Sequence, residues 1–137
     1  MKKLVSLACI AIAVVVVMNG CDKSNPYSGN YVGTMSSVQN TYQKDNVPMQ
    51  FTNGIKDKTN LYLFLLPLTK VTTEKYEAKG DLVIQIIKMV KPDVKADSIQ
   101  NAAFQFTFST GKVTMYATYN VLGVADLNVI TYEGVKQ

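Results

Sequence analysis

Apolar and polar residues alternate over much of the second half of the chain. Phe104, Phe106 and Phe108 alternate with Gln105, Thr107 and Ser109. Thr110-Gly111 then offers a turn, and Val113, Met115, Ala117 and Tyr119 return with Thr114, Tyr116 and Thr118 opposite. A period of two sends successive side chains to opposite faces of a strand, so this stretch predicts a hairpin with one apolar and one polar face. That is the mark of antiparallel sheet. The same alternation predicts strands over 31–36, led by Tyr31, Gly33 and Met35, and over 47–52, led by Val47, Met49 and Phe51. Asn53-Gly54 after the second is a hairpin-type turn signal. A short strand is expected within 71–78, and a last one from about Ala125 to Glu133.

Two segments depart from alternation. Leu61 to Leu68 is continuously apolar, Leu-Tyr-Leu-Phe-Leu-Leu-Pro-Leu. At that length, with aromatics, it predicts one strand buried on both faces, with Pro67 placing its end at an edge or bulge. From Asp81 to Lys91 the polar residues fall at 81, 85 and 88, and the apolar ones at 82, 83, 86, 87, 89 and 90. That is helical spacing, with Asp81 as N-cap and Pro92 as stop. The β-branched Val83, Ile84, Ile86, Ile87 and Val90 pull toward strand. The ordered polar stripe and the well-placed Pro favour a short helix near 81–91. The fold expected is mainly β: an antiparallel curved sheet or small barrel of seven or eight short strands, with that one helix.

The first 20 residues follow a different pattern. Lys2 and Lys3 precede a run from Leu4 to Met18 that is broken by Ser6 alone, and Asn19-Gly20-Cys21 follows. Basic, apolar, then small is the order of a secretory signal. The run is shorter than the roughly 20 apolar residues of a membrane span. Met18-Asn19-Gly20-Cys21 resembles the lipobox of bacterial lipoproteins, with Gly20 at the small position before the Cys. Met18 and Asn19 depart from the usual Leu and Ala or Ser. The resemblance implies cleavage before Cys21, a diacylglycerol on its sulfur and an acylated amino group; an ordinary cleaved signal is the rival reading. Several acyl chains together make anchoring stable, at about 0.8 kcal/mol per buried methylene. The organisation expected is signal peptide 1–20, lipidated Cys21 with a polar tether to residue 28, and a β domain over 29–137.

This division changes the composition. The whole chain carries 14 Lys, no Arg and 10 acids, for a net charge of +4. Without residues 1–20, 117 residues remain with 12 Lys against 10 acids, close to neutral. Cys9 leaves with the signal and Cys21 takes the lipid, so no disulfide can stabilise the mature domain despite an address that permits one. There is no His, Arg or Trp. Imidazole-based catalysis and zinc ligation are excluded, and so are guanidinium clamps on phosphate. The lysines form no basic stripe interleaved with aromatics, so no nucleic-acid partner is expected.

The remaining chemistry is thin. Ser109-Thr110-Gly111-Lys112 matches a Ser-x-x-Lys acyl-enzyme pattern, but it falls on a predicted hairpin turn rather than a helix start. The acidic pairs Glu74/Glu77 and Asp93/Asp97 lack the sugar-stacking Trp and the ligand spacing that glycosidase or calcium sites use. They read as solvated loop charge. No catalytic residue, metal or cofactor is expected.

Cys21, the Asn/Ser/Pro tether, the strand Tyr-Ser-Gly-Asn-Tyr-Val-Gly-Thr-Met (27–35) and the closing Val-Ile-Thr-Tyr-Glu-Gly (129–134) are similar to small Bacteroidetes lipoproteins with a calycin-like, lipocalin-like barrel. The resemblance implies an exported, membrane-anchored domain of the envelope, with the outer membrane favoured, that binds rather than catalyses. Small barrels have interiors that are packed or hold one small ligand. Leu63, Leu65, Phe104, Phe106, Phe108 and Met115 are the candidates to line a pocket for a small apolar ligand. The alternative is a structural or protein-interaction lipoprotein whose apolar strands are solid core.

Overall fold

The computed structural model describes residues 24–137. The expected signal peptide and the expected lipid attachment at Cys21 lie outside the described residues. The strands are β1 (Gly29–Ser37), β2 (Tyr42–Asn53), β3 (Leu61–Leu63), β4 (Leu66–Pro67), β5 (Thr69–Lys70), β6 (Lys75–Ala78), β7 (Ile99–Ser109), β8 (Lys112–Val121) and β9 (Asn128–Lys136). One helix, α1 (Asp81–Val90), is inserted between β6 and β7.

All nine strands form one antiparallel sheet, in the order β4-β3-β2-β1-β9-β8-β7-β6-β5. The two edges, β4 and β5, are consecutive in the chain and separated by Leu68 alone. A sheet whose two edges share one five-residue segment has to curl round on itself. Taking 66–70 as one interrupted strand gives an eight-stranded up-and-down meander, nearly closed, in which the last strand pairs with the first. The helix leaves this meander intact, because β6 and β7 on either side of it are still neighbours.

Alternation does in the structure what it does in the sequence. Phe106 faces Met115, Phe104 faces Ala117 and Phe108 faces Val113 across β7 and β8, and all six side chains are buried. Helix α1 adds Leu82, Val83, Ile86, Ile87 and Val90 to the same core. Its N-cap is Gly80, with φ of 60°, and Asp81 is its first residue rather than its cap. A carboxylate in the first turn still complements the helix dipole.

The apolar run 61–68 is not one strand. It folds back as the β3–β4 hairpin, with Phe64 and Leu65 at φ of 53° and 65°. A two-residue hairpin loop of this type, with positive φ at both central positions, normally uses Asn-Gly. Holding two bulky residues there costs roughly 1–2 kcal/mol each. Phe64 and Leu66 recover part of it by packing on the core. The Asn53-Gly54 signal opens a longer loop, 54–60, instead of a tight turn. β9 runs 128–136, three residues later than expected.

The β1–β9 seam is made by two glycines. Gly33 and Gly134 are register partners. A methyl on Gly33 would strike the backbone carbonyl of Glu133, and one on Gly134 would strike the Tyr132 ring. The empty position at Gly134 lets Tyr132 extend across the seam and donate its hydroxyl to Val47 O on β2 at 2.8 Å. A bulge opposite Gly33 follows, with Asn46 at φ of 58°.

Candidate functional site

Five of the six candidate pocket residues meet inside the barrel. Leu63, Phe104, Phe106, Phe108 and Met115 are all buried in one cluster. Rings fill the half of the interior near the N-terminal segment. Phe108 stacks on Tyr27 at 4.8 Å and meets Phe51, Tyr76 and Tyr31 edge-on at 5.1, 5.7 and 6.1 Å. Phe51 meets Phe106 edge-on at 5.7 Å. These are favourable aromatic geometries. Leu65 is the exception, and its expected place in the interior is corrected: it lies at the hairpin tip, 86% exposed, because left-handed backbone turns it outward.

Burial also governs the interior tyrosines. It raises the phenol pKa of Tyr31, with a smaller contribution from Tyr27, and that of Tyr119, where an Asn40 hydrogen bond partly opposes it. It pushes Tyr132 up to about 12.

The N-terminal end of the described chain is part of this packing. Asn25, assigned to a tether by composition, is 5% exposed. Its amide nitrogen donates to Tyr76 Oη at 2.7 Å and to Thr59 O at 2.9 Å, and its Oδ1 accepts from the Tyr27 N–H at 2.9 Å. Its own N–H donates to Lys58 O at 2.8 Å and to Asn53 Oδ1 at 3.1 Å. Residues 25–28 thus fasten across one end of the barrel, four residues ahead of the expected domain start.

The larger hollows described lie outside the wall. One of about 550 Å³ is bordered by Asn53, Ile55, Asp57, Asn60, Tyr62 and Leu65. A second, of about 400 Å³, shares Thr52 and Leu65 with it and continues along β2 past Gln50 and Pro48 to Asn30. Together they form a groove on the outer face of β2, overhung by the strained Phe64-Leu65 tip. Asp57 shapes its floor: the Thr59 hydroxyl and N–H both bond its carboxylate and hold its pKa below the ordinary value. Three separate segments build this groove, and no stretch of sequence spells it.

Ser109 and Lys112 are register partners flanking the tight β7–β8 turn, with Gly111 at φ of 73°. Glu74 lies in the 71–74 turn, Glu77 is 3.7 Å from Lys79, and Asp93 and Asp97 are exposed in the link after α1. At the opposite end from Asn25, Val38, Leu122, Val124 and Leu127 are exposed on the 38–41 turn and loop 122–127, and the Val129 N–H at the start of β9 donates to Gln39 Oε1 at 3.0 Å. No family model, curated protein or solved structure matches the chain.

Proposed function

We propose that this chain is a non-catalytic envelope-binding module, exported as a calycin-like lipoprotein and held at the membrane by lipid on Cys21. It engages a protein partner on its outer wall rather than a small apolar ligand in its interior. The observation that carries this reading is the filling of the barrel by its own rings, with Phe108 in contact with four others. An interior ligand would have to part those rings. The groove on β2 combines an apolar overhang with a few polar groups, which is the usual make-up of a recognition site. It suits one or two apolar side chains of an envelope protein.

A photo-crosslinking residue placed at Leu65 in living cells is expected to give a discrete adduct, while the same residue at Tyr116, on the wall formed by β8, gives none. Native mass spectrometry of the Cys21→Ser protein is expected to show the bare chain. A co-purifying lipid-like mass that is lost in Phe106→Ala would restore the interior-ligand reading. For the anchor, Cys21→Ser should move the protein from the membrane to the soluble fraction, and retention there would exclude lipidation.

A further inference from the structure

The up-and-down topology sorts the loops to two ends of the barrel. Loops 54–60, 71–74 and 110–111 lie at one end, together with residues 24–28 and the end of β9. The turn 38–41, the α1 segment and loop 122–127 lie at the other. The charges sort with them. Leaving Lys58 aside, the first end carries Lys56, Lys70, Lys75, Lys112 and Lys136 against Asp57 and Glu74. The far end carries Lys44, Lys79, Lys88, Lys91 and Lys95 against Asp45, Asp81, Asp93, Asp97 and Asp126, while Glu77 and Glu133 lie mid-wall, in register with Gln105 and Thr114. The described residues therefore have a basic end and a balanced one.

The basic end is also the end nearest Cys21. Asn25 is bonded into it, and Cys21 lies four positions before Asn25. Four residues span at most about 14 Å when fully extended. A lipid on Cys21 would therefore hold this end within one short reach of the bilayer. Ile55, 97% exposed, and Val71 project from the same end among the lysines.

We infer that the basic end docks on the anionic phosphate headgroups of the bilayer that carries the anchor, fixing the barrel upright with its α1 end outward. The inference rests on the proposed lipidation of Cys21. Juxtamembrane lysines contribute about 1 kcal/mol each near an anionic surface, and the effect is screened by salt. Upright docking would leave the β2 groove opening sideways and the loops bearing Val38 and Leu122 facing away from the lipid.

The test uses protein purified from its own membranes, whose intact mass reports the lipid on Cys21 independently. Thr110→Cys and Leu122→Cys, one at each end, carry an environment-sensitive fluorophore after reconstitution into vesicles of roughly one-third anionic lipid. A lipid-borne quencher is expected to quench the Thr110 label at least about threefold more than the Leu122 label, and the difference should shrink in high salt. Reversing Lys56, Lys75 and Lys112 to Glu should abolish the difference, and reversing Lys88, Lys91 and Lys95 should leave it. Equal quenching at both ends of lipidated protein would overturn docking and spare the anchor. A mass without lipid would overturn the anchor, and the same end-to-end comparison on unlipidated protein then decides docking.

Discussion

Tyr132 shows how one side chain depends on the absence of another. Its ring lies where a Cβ on Gly134 would stand, and its hydroxyl satisfies Val47 O, on the register partner of Gly33. Gly33→Ala forces a methyl against backbone that cannot step aside, so a loss of about 3 kcal/mol or more is expected in urea unfolding. An ordinary surface-sized loss would mean that the seam has slack. Tyr132→Phe removes one buried hydrogen bond and should cost about 1 kcal/mol at neutral pH. It should also change the alkaline limb. The folded pKa of Tyr132 lies near 12, above the ordinary 10. Below pH 10 both states keep the proton and stability is full. Between pH 10 and 12 the unfolded chain ionises first and stability falls, by about 2 kcal/mol in total. The Phe variant should therefore lose less stability over that window than the parent, and parallel pH profiles would refute the assignment. Gly33 and Tyr132 were visible in the sequence as parts of short motifs. Their partnership was not, because 99 residues separate them.

Elements with strict alternation were legible, and those governed by turn chemistry were not. β7 and β8 follow directly from Phe104, Phe106, Phe108 and their facing residues, since a period of two admits one reading. The helix at 81–90 was legible from its polar stripe. The run 61–68 misled because Phe64-Leu65 carries none of the residues that announce a hairpin. Its turn is imposed by the β2 and β6 partners on either side, at a local cost. Leu65→Gly should relieve part of that cost, since glycine adopts positive φ freely and Leu65 buries little. Stability is expected to rise by up to about 1 kcal/mol. A lower urea midpoint would show that the turn is unstrained. The polar segment 25–28 misled for the opposite reason. Asn25 reads as solvent-exposed until a partner is supplied for each of its polar groups.

On the scale of the molecule, the sheet has no free edge of useful length. Its edges are the two-residue strands β4 and β5, and one segment supplies both. Exposed edges are where sheets recruit other chains, so this arrangement protects a disulfide-free domain from edge-to-edge association. Opening the wall should remove that protection. A chain stopped at Glu133 loses the pairing of Gly134 and Val135 with both neighbours and of Lys136 with β1. It is expected to lose its near-ultraviolet aromatic signal and to aggregate. A cooperative melt within a few degrees of the parent would show that the β1–β9 seam is dispensable. The barrel class was legible from strand number and length. Closure was not, because pairing of the first strand with the last leaves no local trace.

That same pairing sets a clock. Of the nine described strands, synthesis from the N-terminus produces β1 first and β9 last, so the wall stays open until β9 has been added. Contacts of such long sequence separation also form slowly. Among the nine described strands, the one that completes the wall is therefore the last to be made, and the delay needs no separate device.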